Sequence, residues 1–122
     1  MIEIRREDFS IDEAAKKVKS PRVGAVLTYI GVVREFPQGK GLEFEEDKSA
    51  AQRLEEIREN AMDRFDVEDI AITHRIGFLS ISESVLLVVV SSAHRLAAFE
   101  ACQFIIDKIK DLHKSWAREV KK

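Results

Sequence analysis

The sequence predicts an α+β fold in two layers, a mixed or antiparallel sheet packed by helices. Two segments carry apolar residues at helical spacing, one from Lys48 to Phe65 and one from about Ala93 to Lys110 or beyond. The segments VGAVLTYIGVV, IAITHRI and VLLVVVS are rich in β-branched residues and bounded by turn residues, as strands are. The predicted order is α-β-β-α-β-β-β-α. With no internal repeat and no linker composition, residues 1–122 are expected to form one domain.

Taken in order, Ser10-Ile11-Asp12-Glu13 has the form of a capping box, Ser at the N-cap and Glu three residues later. It predicts a short helix through about Lys19, closed by Ser20-Pro21. Val23 to Val33 reads as a long, largely buried strand, with Gly24 and Gly31 marking bends or close backbone approach. Glu35 to Gly41, holding Pro37, Gly39 and Gly41, reads as a loop or hairpin connection, and Leu42 to Glu45 as a short strand. In the helix from Lys48 to Phe65, Ala51, Leu54, Ile57, Ala61 and Phe65 face the core. Ile70 to Ile76 alternates and reads as a strand, and Gly77 allows a bend before Phe78 to Ile81. Ser82-Glu83-Ser84 turns the chain into the strand Val85 to Ser91. The last helix places Ala98, Cys102, Ile105, Ile109, Leu112 and Trp116 along one stripe.

Composition narrows the function classes. The chain is 45% hydrophobic and 34% charged, enough apolar surface to offset chain entropy in a globular core. A formal charge of -2 gives no bulk basicity for nucleic acid or an anionic membrane. The longest aliphatic run, Val85 to Val90, is far below the roughly 20 residues that cross a bilayer. The start, MIEIRRED, has no apolar leader core, and the one cysteine, Cys102, fits a reducing cytoplasm. Cys102 has apolar neighbours at helical spacing and reads as a small core residue.

The candidate site residues are cationic. His94 and Arg95 fall in the first turn of the last helix, where the dipole places about half a positive charge and disfavours another cation. The same place suits an anionic ligand, because free backbone N–H groups and the dipole add to the arginine fork. The alternative is that Arg95 extends to solvent and His94 caps the strand end. Lys110, Lys114 and Arg118 recur at i, i+4 and i+8 and so share a helix face. Cations near a helix C-terminus are favourable in themselves, and a cluster of them also makes a neutral lysine amine more accessible. Arg34 ends an apolar strand beside a glycine-containing loop, where side chains commonly enter a site. His74 and Arg75 fall on opposite strand faces, and His74 reads as a satisfied core or interface histidine. The three histidines and one cysteine have no metal-ligand spacing, and no phosphate loop or nucleophile elbow is present. No cofactor is called for.

GAVLTYIGVVR, LEFE, THRIG and VSSAHRLAAFEACQFIIDKIK, in this order and spacing, resemble the large catalytic subunit of molybdopterin synthase, the MoaE family. The similarity runs from about Val23 to Glu119, and the SSAHR segment with AFEACQFIIDKIK is its most specific part. The resemblance implies an α/β hammerhead-type fold and a homodimer within a heterotetramer. It implies a ubiquitin-like small subunit whose C-terminal Gly-Gly, as a thiocarboxylate, enters a pocket of the large subunit. Two sulfurs pass to cyclic pyranopterin monophosphate, making the dithiolene of molybdopterin. Position by position, the resemblance makes Arg34, His94 and Arg95 substrate-binding and gives Lys110 the transfer chemistry beside the carrier's terminal glycine. A positive charge there would stabilise the oxyanion that develops at the carbonyl.

The sequence departs from the family pattern in places. Trp116 is followed by Ala117 where the resemblance calls for a second lysine, with Lys114 and Arg118 as possible supporting charges. Asp47 stands where an aromatic residue usual after the LEFE-like strand is expected, and the C-terminal extension of many members is absent before Lys122. An alternative reading follows: a catalytically impaired relative that binds a ubiquitin-like sulfur carrier. Geometry adds a constraint, because Lys110 lies roughly 22 Å beyond Arg95 at 1.5 Å per helical residue. Either the helix ends early and the chain folds back, or its two ends serve sites of different protomers.

Overall fold

The computed structural model describes every residue from Met1 to Lys122. The elements run β1 (Ile2–Arg5), α1 (Ile11–Lys17), β2 (Ala25–Val32), β3 (Gly39–Phe44), α2 (Lys48–Arg64) and β4 (Asp69–Arg75). They continue β5 (Gly77–Ser80), β6 (Ser84–Ser92), α3 (Arg95–Trp116) and β7 (Ala117–Lys121). The main sheet has the order β1-β4-β6-β2, with β1 parallel to β4 and the other pairs antiparallel. A second, antiparallel sheet has the order β5-β3-β7. The α+β class with a mixed sheet packed by helices is therefore the one expected.

The apolar run in β6 explains its central place. Val85 through Val90 are all buried, as a strand covered on both faces requires. Leu86, Val88 and Val90 join the main core against α2 and α3, together with Ile70, Ile72, Leu54, Ile105 and Ile109. Leu87 and Val89 point the other way and meet Ala14 and Val18, on and just after α1. Helix α1 thus adds a partial cover on the second face of the sheet. Cys102 lies in the main core, and burial pushes its thiol up to about 11, so it is an inert packing residue.

Local signals explain most boundaries. Ser10 Oγ accepts from the Glu13 N–H at 3.2 Å and starts α1. Asp47 starts α2 in the same way, accepting from Ser49 N–H at 2.8 Å, which gives this departure from the family pattern a structural role. Gly77 has φ 92°, a conformation that favours glycine, and it bends β4 into β5.

Two strands were not expected. In β1, Ile2 and Ile4 alternate and pair with Ile72 and His74 of β4, so the N-terminal residues are an edge strand rather than a tail. The last helix stops at Trp116, and Ala117 to Lys121 return as β7 beside β3. Arg118 is therefore not on the helical face of Lys110 and Lys114, contrary to the i+8 reading. No glycine or proline marks that stop. It is fixed by tertiary contacts, namely the bond from Trp116 Nε1–H to the Glu45 carbonyl at 2.8 Å and the pairing of Ala117 with Phe44. The predicted loop over Glu35 to Gly41 is also shorter, because β3 begins at Gly39.

Candidate functional site

A cavity of about 350 Å³ opens where β2 ends, between β3, the start of β6 and the second half of α3. Arg34 and Lys110 both line it, with His113 one turn beyond Lys110. The rest of the wall includes Tyr29, Leu42, Phe44, Val85, Leu86 and Ile106. The sequence folds this way locally because β2 loses register with β6 between Gly31 and Val32, where its pairing ends. The Val33 N–H then donates to the Glu83 carbonyl, and Arg34 emerges at the exposed rim. Two cations on an apolar wall suit an anion carried on a partly apolar or planar body.

His113 belongs to a hydrogen-bonded relay that the sequence reading missed. His74 is fully buried on β4, and its Nδ1 lies 2.7 Å from the Arg75 carbonyl, which can only accept. Nδ1 therefore carries the His74 proton. In the neutral ring, Nε2 is then the acceptor, and it lies 2.8 Å from His113 Nε2, which must donate. Burial first, and then the neighbouring His113, push the His74 pKa down to about 3, with the Arg75 carbonyl opposing. Burial first, and then the charge of Lys110, push His113 down to about 4. Both rings are neutral at pH 7, and both stand around Phe44, at 4.8 and 5.0 Å between centroids. His74 is thus the satisfied core histidine expected. Arg75, on the opposite face, donates to the Arg6 and Ser84 carbonyls.

His94 and Arg95 lie elsewhere. Helix α3 is continuous from Arg95 to Trp116, so the possibility that it ends early and folds back before Lys110 is ruled out. His94 is the N-cap residue, in extended conformation, with no side-chain cap and no acidic residue in the first turn. Ser92 Oγ donates to the His94 carbonyl, holding the strand-to-helix corner. Both His94 and Arg95 are exposed, and neither lines the Lys110 cavity. Beside them stand two exposed apolar side chains, Leu96 at 68% and Phe99 at 55%.

The sequence profile of a family described as "MoaE protein" matches residues 4–112. This chain belongs to the MoaE family. It is 43% identical over 118 residues to the molybdopterin synthase catalytic subunit of Pyrococcus abyssi, covering 93% of this chain and 80% of that protein. The molybdopterin synthase catalytic subunit of Bacillus subtilis is 38% identical over 122 residues, covering 97% of this chain and 78% of its own. Among solved structures, molybdopterin synthase from Staphylococcus aureus superposes with a TM-score of 0.87 at 29% identity, over 98% of this chain and 90% of that one.

Within this MoaE-family chain, the two supporting cations do not reach the Lys110 cavity. Lys114 is exposed and pairs with Asp111 at 3.2 Å. Arg118 sits on β7 and pairs with Glu43 of β3 at 2.7 Å. Ala117, where a second lysine is expected from the family pattern, is half-buried at the start of β7. Of the residues nominated from sequence, the structure brings Arg34 and Lys110 together and leaves His94, Arg95, Lys114 and Arg118 apart from them. The available signal for His113 was its position at i+3 from Lys110, which places it on the same helix face.

Proposed function

We propose that this chain is the catalytic subunit of a molybdopterin synthase, working as one domain in the cytoplasm. It transfers sulfur from the thiocarboxylated Gly-Gly end of a ubiquitin-like small subunit to cyclic pyranopterin monophosphate. The observation that carries this reading is the convergence of Arg34 and Lys110 on one cavity in a chain of the MoaE family. Lys110 takes the position beside the carrier's terminal carbonyl, where its charge stabilises the developing oxyanion. Arg34 holds the anionic pterin at the rim.

In this proposal His94 and Arg95 bind the substrate's phosphate from a second protomer. The support is distance and chemistry together. Fifteen residues of unbroken helix, roughly 22 Å, separate Arg95 from Lys110 in one chain. The uncapped helix start offers free N–H groups to an anion, and Leu96 and Phe99 give it an exposed apolar border fit for burial against another copy. The assembly is a homodimer of this chain carrying one small subunit per protomer. No helix is long and apolar enough to cross a membrane.

The test is reconstitution. Purified protein, thiocarboxylated carrier and cyclic pyranopterin monophosphate should give molybdopterin. No product, under conditions where the Bacillus subtilis relative is active, refutes the reading. Carrier binding without product would leave the chain a binding protein, the outcome that Ala117 favours.

A further inference from the structure

The relay around His113 is not accounted for by Lys110 or Arg34. Two imidazoles in and beside a core are costly to bury, and apolar residues of similar size would fill the space without that cost. His74 fixes the proton on His113 Nε2, so the second nitrogen, Nδ1, holds a lone pair. Nδ1 makes no hydrogen bond within the chain, and the only sealed side-chain polar atom without a partner anywhere in the molecule is Arg5 Nε. His113 Nδ1 is therefore not sealed, and His113 forms part of the wall of the Lys110 cavity.

We infer that His113 is a proton-accepting catalytic residue of this cavity, held in the productive tautomer by His74. The inference rests on the sulfur-transfer reading and specifies one step of it. A carrier that enters as a thiocarboxylate and leaves as a carboxylate must gain an oxygen, which water supplies. Once the carrier's sulfur is bonded to the pterin, water attacks the acyl carbon and the carbon–sulfur bond to the carrier breaks. That electron pair stays on sulfur, which remains with the pterin. One proton of the water passes to His113 Nδ1, and the other stays on the carrier's new carboxylic acid until it ionises. The Nε2–H bond to His74 persists throughout, so the ring does not turn.

Burial and the cations around His113 keep the resting ring neutral and make it a weak base. Lys110 precedes it on α3, His74 faces it from β4, Tyr29 and Arg34 reach the cavity from β2 and its end, and no carboxylate lines the wall. A neutral acceptor is thus the one basic lone pair among cations. At neutral pH it is unprotonated and ready to accept.

His113→Gln tests the step, because the glutamine amide N–H stands in for Nε2–H toward His74 but supplies no base. We expect a folded protein whose kcat falls by about 100-fold with KM unchanged, and an acyl-linked carrier–pterin adduct that accumulates in quenched samples by mass spectrometry. A folded His113→Gln protein with unchanged kcat, beside an inert Lys110→Ala, overturns the inference and leaves the function standing. A wild type that makes no product overturns both. If His113→Gln fails to fold, nitrogen-15 NMR of the wild-type imidazoles decides. The Nε2–H form of His113 supports the inference, and the Nδ1–H form overturns it.

Discussion

Acidification should destabilise this protein through the His74–His113 pair, well above the pH at which its carboxylates protonate. An unfolded histidine has a pKa of about 6.5. In the folded chain, burial and the neighbouring charges hold the two rings near 3 and 4. Because both native values are depressed, the native state stays neutral while the unfolded chain takes up two protons as pH falls below about 6.5. Stability is therefore complete above that pH and declines as the pH drops toward the native values. At pH 5 each histidine is 1.5 units below its unfolded pKa, costing about 2 kcal/mol at about 1.4 kcal/mol per unit, or about 4 kcal/mol for the pair. That is a large share of the 5–15 kcal/mol typical of a domain. The only carboxylate with a clear shift is Glu83, lowered by hydrogen bonds from Ser80 and from Arg75, and its effect begins below its ordinary value of 4.5. The window from pH 6.5 to 5 thus isolates the imidazoles.

The assay is urea unfolding at constant ionic strength at pH 8, 6.5 and 5, for the wild type and for a His74→Phe, His113→Leu double variant. Between pH 6.5 and 5 the wild type should lose about 3 kcal/mol more than the double variant, while both share any loss above pH 6.5 from the Met1 amino group, whose pKa burial lowers from 8.0. A wild-type loss below about 1 kcal/mol would show that the pair is charged or exposed in the native state, and the tautomer assignment would fall with it. A double variant that kept the full slope would equally refute the assignment of the pH dependence to this pair.

Three further outcomes follow from the geometry. Lys110→Ala should abolish molybdopterin formation while leaving the melting temperature within a few degrees, since the side chain is exposed; parallel activity and melting measurements check this. Mixing Arg95→Ala with Lys110→Ala protein should restore up to about a quarter of wild-type activity, because half of a random set of dimers are mixed and each holds one intact site. No recovery after subunit exchange would rule out a shared site. Gly41→Ala should destabilise by about 1–3 kcal/mol in chemical unfolding, because a Cβ there collides with the Leu79 carbonyl oxygen and the Phe78 ring.

How much of this was legible depends on where each signal resides. Helices α2 and α3 were read from helical periodicity, β4 from its alternation, and β2 and β6 from β-branched apolar runs bounded by turn residues, because burial against the core dictates each pattern. Strand β7 was not, since of AREVK only Ala117 packs against the main core, and the segment follows a helix with no stop residue. Its pairing depends on β3, some 75 residues away by the Arg118–Glu43 bond. β1 carried a short alternation, Ile2 and Ile4, that four residues could not raise above a tail. At the site, Arg34 and Lys110 were nominated by position and resemblance. His113 was hidden because its meaning depends on His74, 39 residues earlier, and a tautomer is a property of the contact rather than of the residue.

Helix α3 joins these threads, because its dipole acts in opposite senses at its two ends. At the start, Arg95 meets about half a unit of like charge, with no cap side chain, no acid in the first turn and no ion pair to offset it. An isolated protomer gains nothing from that arrangement, and the proposed phosphate contact would offset it. At the other end the dipole favours a cation by up to about 2 kcal/mol, which alone would raise the pKa of His113 in the last turn. His113 is nevertheless depressed, so burial against Phe44 and the charge of Lys110 outweigh the dipole there. The same helix thus keeps a cation where stability disfavours it and an uncharged base where stability favours a charge. Both departures concern ionisable groups, and the proposed roles would account for both, an anion at the first end and a proton in transit at the second.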